Sequence, residues 1–222
     1  MKNLTQDQFK AIENKVQGME LCAGLGSYES ACSIAAINLA LTGELHDGIP
    51  ACMSEVIGHW IISIQDAIPA YIRNSRQWKS LLPLAAGTGR KKEKERLELL
   101  LDWMWNSVLP RAQSEADIFC FGGPWRVMLN EKNADAAIAA ARAASVSSST
   151  VTGAWFAATA AARAADNASI AARSDKHNVS RDRARCVATT AGNVMYTTGS
   201  SRKPDWRPLD PCGTLQRLIE VV

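Results

Sequence analysis

Between Ala134 and Ala172, nineteen of the thirty-nine residues are alanine, and this tract limits the possible folds more than any other segment. Alanine has the highest intrinsic helix propensity, because its methyl group loses no rotamer freedom in a helix. The same methyl group buries little apolar area, so an alanine-rich helix is stable only where a second helix comes very close. We therefore expect close-packed helices, formed with another part of the chain or with a second copy.

The overall composition is that of a globular protein with an ordinary core. Of the 222 residues, 47% are hydrophobic and 21% are charged, and the formal net charge is +3. This mild charge permits an anionic partner without requiring one. The apolar stretch from Val56 to Ile64 is far shorter than the roughly 20 residues that span a bilayer, and the first residues lack the apolar core of a secretory signal. We expect a cytoplasmic protein with no membrane segment.

The spacing of apolar residues predicts helix after helix and almost no strand. Thr5 followed by Gln8 has the spacing of a capping box, and apolar residues then recur at three- and four-residue intervals. The clearest helical pattern begins at Arg90. Near the C terminus, Asp210-Pro211 predicts the cap and first turn of a last helix, whose apolar end needs a docking site on the N-terminal half or on another subunit. The predicted fold class is all-α.

A segment rich in glycine and proline predicts the division of the chain. Phe121 to Trp125 reads Phe-Gly-Gly-Pro-Trp, which is typical of a loop. We predict a multi-helix N-terminal domain over residues 1–120 and an alanine-rich, close-packed helical region over residues 121–222. Serine, threonine and valine fill Ser145 to Gly153, which predicts a connection between two alanine helices. The small area that alanine buries and the apolar segment from Leu215 to Val222 predict a homo-oligomer.

One basic turn framed by glycine is the best candidate for a ligand contact. Residues 87–94 read Gly-Thr-Gly-Arg-Lys-Lys-Glu-Lys, at the predicted start of the helix with the clearest pattern. Cations in a first turn oppose the helix dipole, whereas the free backbone N–H groups there attract anions, so a bound phosphate would reconcile the two. The alternative is a glycine turn before a solvated helix end. The candidate ligand-binding residues are Thr88, Gly89, Arg90, Lys91 and Lys92.

A second group of residues bears on catalysis. Cys52, Glu55 and His59 share one helix face by their spacing and could hold a metal ion or form a nucleophile site. Three residues on one helix do not complete a tetrahedral site, so a buried cysteine beside a surface Glu-His pair is the more ordinary interpretation. The chain has no Cys-x-x-Cys pair and no nucleophile-elbow motif. We predict that it is not an enzyme and that it holds no metal or cofactor.

A third group consists of arginines that could line a basic groove for nucleic acid. They are Arg142, Arg163, Arg173, Arg181, Arg183 and Arg185. Four aspartates lie among them and can neutralise much of their field, namely Asp135, Asp166, Asp175 and Asp182. A solvated surface of mixed charge is the competing interpretation.

Several motifs occur in a fixed order along the chain. Cys-Ser-Ile-Ala-Ala-Ile-Asn-Leu-Ala-Leu-Thr-Gly occupies 32–43, Ile-Pro-Ala-Cys-Met-Ser-Glu-Val-Ile-Gly occupies 49–58, and Ala-Gly-Thr-Gly-Arg occupies 86–90. Trp-Met-Trp at 103–105, the alanine-rich stretch and Asp-Pro-Cys-Gly-Thr-Leu at 210–215 follow. With these motifs the chain resembles an uncharacterised family of tailed-bacteriophage proteins, strongly over most of residues 28–110 and elsewhere by composition. It departs from that pattern at residues 145–153, where serine and valine interrupt the alanines.

The resemblance implies a phage gene product and attaches no activity to it. Small phage proteins without enzyme motifs often inhibit host defence. We therefore expect a non-enzymatic interaction protein that antagonises a host anti-phage defence system, by binding a host protein complex or by sequestering an anionic, nucleotide-like small molecule. One alternative is a nucleic-acid-binding accessory protein that uses the basic turn 88–94 and the arginines from 142 to 185. A second alternative is a metal-dependent or Cys/His hydrolase around Cys52, Glu55 and His59.

Overall fold

The protein is all-α, as the sequence predicts. A computed structural model describes residues 4–147, 179–198 and 205–222. The first helices are α1 Gln6–Gly18, α2 Ser33–Thr42, α3 Glu55–Ala67, α4 Ala70–Arg73, α5 Arg76–Ala86 and α6 Glu93–Trp103. They are followed by α7 Gln113–Ile118, α8 Gly122–Glu131, α9 Ala134–Ser147, α10 Val179–Thr198 and α11 Pro211–Ile219. Within the described ranges, the extended pairing comprises β1 Glu20–Leu21, which runs parallel to β2 Ser30–Ala31, and one isolated antiparallel bridge between Gly26 and Ala31.

Shorter helical turns connect some of these helices. A π-helical turn, Met104–Val108, and a 3₁₀ turn, Leu109–Ala112, continue the chain directly after α6, so Pro110 lies within a helical turn. A second 3₁₀ turn, Arg207–Leu209, precedes α11. Among the described residues, no helix combines the length and the apolar character that crossing a membrane requires.

The chain divides into two compact units. The first unit comprises residues up to Leu97 together with Asp210 to Val222, and the second unit comprises Glu98 to Leu209. This division falls inside α6 and differs from the boundary placed at residue 120 by the sequence. The loop predicted over Phe121 to Trp125 is wrong, because α8 begins at Gly122. Pro124 is tolerated there, since N–H groups in the first turn of a helix have no partner within the helix.

Local signals set the helix ends of the first unit. The Thr5 hydroxyl accepts a hydrogen bond from the Gln8 backbone N–H at 3.2 Å, and the Gln8 side chain accepts one from the Thr5 N–H at 3.0 Å, so the predicted capping box is confirmed. The Asp210 carboxylate accepts from the Gly213 N–H at 2.9 Å and Pro211 opens α11, which confirms the predicted last helix. These ends form because the capping groups lie within one turn of the N–H groups that they satisfy.

The core of the first unit lies where α1, α2, α3, α5 and α11 meet. Ser33 to Leu39 of α2 are all buried, which agrees with a helix that is covered on every side. Leu215 and Leu218 of α11 are fully buried against α3 and α5. The C-terminal helix therefore docks on the N-terminal half of its own chain.

The second unit pairs small residues with large aromatic ones. Ala137, Ala140 and Ala144 of α9 are fully buried, and α9 packs against α8, whose Trp125 is also fully buried. Trp103 of α6 is only 3% exposed, and its indole N–H donates to the Leu209 carbonyl at 3.0 Å. Methyl groups leave room for broad aromatic rings, so the two residue types fill one core together.

The helix that carries the first alanines of the tract continues past the residue where the sequence predicts its end. Helix α9 extends to Ser147, so the connection predicted over Ser145 to Gly153 does not begin at Ser145. The remainder of that connection and the second alanine helix expected after it lie outside the described residues.

Candidate functional site

The candidate turn links α5 to α6 and is not the first turn of a helix. Helix α6 begins at Glu93, three residues later than the predicted start at Arg90. Its first turn carries Glu93 and Glu95, whose charges agree with the helix dipole. The cations therefore precede the helix. The expectation that they need a bound phosphate to offset the helix dipole is wrong, because they do not lie in its first turn.

A buried arginine fixes the backbone of this turn. Arg96 of α6 is 2% exposed, and its guanidinium donates to the carbonyls of Thr88 and Gly89, at 3.4 Å each, and of Lys91. The planar guanidinium holds its N–H groups in a rigid fork, so acceptors that bind it are held in one arrangement. Arg96 thus turns three carbonyls of the turn inward.

The same guanidinium holds the C-terminal segment. Arg96 Nε donates to the Leu218 carbonyl at 3.1 Å, and Arg96 Nη2 donates to the Val221 carbonyl at 2.9 Å. Loss of hydration on burial lowers the pKa of Arg96 from its usual value, and the charges of Glu93 and Glu95 oppose that change. One side chain therefore joins the turn to the segment after α11.

Further hydrogen bonds complete the turn. The Thr88 hydroxyl donates to the Ala85 carbonyl at 2.7 Å and accepts from the Ser54 N–H at 3.1 Å, while the Gly89 N–H donates to the Cys52 carbonyl at 2.7 Å. Gly89 has a φ of 61° and Lys92 has a φ of 66°, both in the left-handed region. A lysine rarely adopts that conformation, so the surrounding bonds hold the turn in a shape that Lys92 alone would not choose.

The helix terminus nearest to the turn already holds an anion. The Glu93 carboxylate accepts from the Ser54 hydroxyl at 2.9 Å and from the backbone N–H groups of Glu55 and Val56 at 3.1 and 3.0 Å. These N–H groups open α3, where the helix dipole favours negative charge. The anion at this terminus is therefore a carboxylate of the protein itself.

The three candidate cations differ in their availability. Arg90 Nη1 lies 2.6 Å from Glu55 Oε1, and Lys92 Nζ lies 3.3 Å from Glu95 Oε1. Lys91 is exposed, and within the described part of the chain it has no ion pair. Lys91 is thus the cation of the turn that can meet a ligand without breaking an internal contact.

Beside the turn lies an open cleft with a volume of about 490 Å³. Its walls come from the start of α1, the end of α5, the turn itself, α6 and the segment from Ile219 to Val222. The apolar residues that line it are Leu4, Phe9, Pro83, Leu84, Ile219, Val221 and Val222. Lys91, Lys92 and Arg96 supply its charged residues, and no aspartate or glutamate side chain is among the residues that line it. The cleft therefore combines an apolar surface with positive charge.

Of the candidate residues Cys52, Glu55 and His59, the structure pairs Glu55 with His59. Glu55 Oε2 lies 3.3 Å from His59 Nε2, and the other oxygen of Glu55 pairs with Arg90. Burial raises the pKa of the Cys52 thiol, which favours the protonated and less nucleophilic form. Among the residues that the structure describes, no three histidine, cysteine, aspartate or glutamate side chains are grouped to hold a metal ion.

The predicted basic groove is described only in part. Arg142 on α9 and Arg185 on α10 are exposed, and Arg183 is half-buried. Arg163, Arg173 and the side chain of Arg181 lie outside the described residues. The groove stays a prediction.

Sequence reasoning missed the two residues that build the site, Arg96 and Glu93. Glu93 lies within residues 87–94 but is not among the candidate ligand contacts there, and Arg96 lies two residues beyond that segment. One signal was present for Arg96, because it lies four residues before Leu100 and eight before Met104, on the apolar face of the helix. A charged residue on such a face is expected to find buried partners.

Comparison of the chain with protein-family models, with curated proteins and with solved structures finds no match.

Proposed function

We propose that this is a phage-encoded, non-enzymatic interaction protein that antagonises a host anti-phage defence system by binding a host component. Its contact surface is the turn Thr88 to Lys92 and the cleft beside it. The phage origin rests on the sequence resemblance, and the mode of action rests on the site.

The observation that carries the proposal is the construction of the turn. The guanidinium of Arg96 binds three backbone carbonyls of the turn, while the Lys91 ammonium remains exposed and without an ion pair among the described residues. A surface whose backbone is already ordered loses little conformational entropy on binding. Such a rigid turn with one available charge suits recognition.

The site favours a protein partner over a free phosphate compound. Binding of phosphate at a helix N-terminus needs unoccupied backbone N–H groups, and those of Glu55 and Val56 at the start of α3 already bind Glu93. An apolar cleft lies beside the charge of Lys91. Protein–protein interfaces combine apolar anchor residues with neighbouring polar groups in this way.

The test is affinity capture from infected bacterial cells, with mass spectrometry of proteins and of small molecules. Wild-type protein is compared with Lys91→Glu and with Arg76→Glu, a matched charge reversal on an exposed residue at the other end of α5. We expect wild type and Arg76→Glu to recover the same host protein, and Lys91→Glu to lose it. Expression of the wild type should also raise the plating efficiency of a phage that the host defence restricts.

Three results would count against the proposal. Recovery of no host component, together with unchanged plating, would overturn it. Recovery of a nucleotide or of nucleic acid, in amounts that fall steeply with added salt, would favour the nucleic-acid alternative. Metal found in purified protein by elemental analysis would favour the hydrolase alternative.

A further inference from the structure

We propose that the cleft beside the turn takes a peptide segment of the partner in which apolar side chains flank a carboxylate. The inference rests on the proposed function and names the chemistry of the partner at that site. The carboxylate is that of an aspartate or glutamate side chain, and a chain-end carboxylate is the contrary outcome of the experiment below.

The first reason is the apolar surface that the cleft leaves in water. Leu84 is 46% exposed on α5, although it lies next to the buried Pro83 and Ala85. Leu4, Phe9 and Ile219 are only half-buried around the same cleft. Covering this surface with apolar side chains removes it from water, which is the main source of affinity in protein association.

The second reason is charge complementarity. The cleft is lined by three cations and by no acidic side chain. Lys92 shares its charge with Glu95, and the guanidinium of Arg96 is occupied by backbone carbonyls, so Lys91 is the group that remains for a partner.

The third reason is the open shape of the cleft, which separates a peptide from a small molecule. Lys91, Lys92, Leu84 and Val222 are all exposed while lining it. Pockets for small ligands bury most of the ligand surface, and this cleft would leave one face in water. A segment of a larger partner covers that face with its own chain, so the open cleft fits it better.

The walls of the cleft are ordered before any partner arrives. Arg96 holds Thr88, Gly89 and Lys91 on one side and Leu218 and Val221 on the other. The apolar residues and Lys91 therefore keep a fixed spacing, and a partner meets a surface that needs no rearrangement. A fixed spacing predicts a short consensus in the bound segments.

The experiment is a selection of displayed peptides on the full-length protein, from one random library with free C termini and one with random residues followed by a fixed neutral linker. Wild type and Lys91→Glu are used as targets in parallel. We expect wild type to enrich, from both libraries, peptides with two apolar residues around an aspartate or glutamate, and Lys91→Glu to lose them. Enrichment only from the free-end library would identify a chain-end carboxylate instead and would count against the inference.

Two exposed apolar residues supply the matched variants. A selected peptide should bind Leu84→Gln about tenfold more weakly, because the apolar wall is lost, as in truncation of an interface anchor. Val127→Gln changes a residue of the same 46% exposure on α8 and should bind as wild type does. Thermal unfolding of both variants near the wild-type temperature shows that folding is unaffected.

The inference is overturned if the enriched peptides lack acidic residues, if they come only from the free-end library, or if binding is the same for Leu84→Gln as for wild type. If peptides are selected at the cleft but no host component is captured from cells, the proposed function fails and the inference stands. If a host component is captured through Lys91 but is indifferent to Leu84→Gln, the inference fails alone.

Discussion

Buried polar side chains tie distant segments together in the first unit, whereas aromatic rings and alanine methyl groups fill the core of the second. In the first unit, Arg73 donates to the carbonyls of Leu21, Ile68 and Gln65, and Arg96 acts similarly on the turn and the C-terminal segment. Such bonds fix the loops of the first unit, which is why its surface can present a rigid turn.

The second unit depends on fitted volumes instead. Phe121 and Trp125 are fully buried, and their ring centroids lie 5.9 Å apart in an edge-on arrangement. Alanines of the next helix, α9, are also fully buried. Where hydrogen bonds hold the structure, removing a donor is costly because buried acceptors are left without a partner. Where side chains fill a core closely, adding atoms is costly because no space is left for them. The two units should therefore respond to different kinds of substitution.

The largest effect is expected for Arg96→Ala. Five carbonyls lose a buried donor, so we expect a loss of about 3 to 4 kcal/mol in the free energy of unfolding, in the range for breaking a buried charged contact. The control is Arg142→Ala at an exposed position of α9, which should change stability by less than about 0.5 kcal/mol. Urea denaturation measures both, and equal losses would show that Arg96 does not hold the first unit together.

Overpacking should distinguish the second unit. Ala140 is fully buried and its neighbour Ala139 is exposed on the same helix. We expect Ala140→Leu to lower stability by about 2 kcal/mol, because the added atoms have no space in a fitted core, and Ala139→Leu to be nearly neutral. Thermal unfolding of the pair provides the measurement. A neutral Ala140→Leu would mean that the alanines are not closely packed.

The cap supplied by Glu93 should have a smaller effect. Glu93→Ala removes the acceptor for two backbone N–H groups and one hydroxyl, and we expect a loss of about 1.5 kcal/mol, as for other helix caps. Glu13→Ala, on an exposed position of α1, serves as the control. If both variants keep wild-type stability in urea, the contact with α3 contributes nothing measurable.

Two glycine substitutions should have opposite signs in the two units. A Cβ added at Gly89 or at Gly123 meets no atom within 4 Å, so only backbone preference differs between them. Gly89 is left-handed and Gly89→Ala should cost about 1 kcal/mol, whereas Gly123→Ala in α8 should gain about 0.5 to 1 kcal/mol. Thermal unfolding resolves both shifts, and a stabilising Gly89→Ala would contradict the left-handed turn.

Much of the fold was predictable because helix ends are set locally. The capping box of Thr5 and Gln8 and the Asp210 cap of α11 were predicted from residues three apart. The start of α6 was misplaced at Arg90, because the sequence shows the cations but not the bonds that bend the backbone at Gly89 and Lys92.

The sequence predicted where the candidate site lies but not which residues hold its backbone in place. Its cationic residues were identified, yet the residue that organises them was not, since Arg96 finds its acceptor Leu218 at a separation of 122 residues. Glu93 likewise caps α3 across 37 to 39 residues. No local pattern reports such distant acceptors.

The sequence by itself determined that the chain is helical and where α1 and α11 begin, because capping and side-chain entropy act within a single turn. Only the tertiary structure decided which charges lie inside the protein and which remain at its surface. Burying the guanidinium of Arg96 is favourable only when carbonyls from two separate segments meet around it, and leaving Lys91 outside follows from how that turn closes.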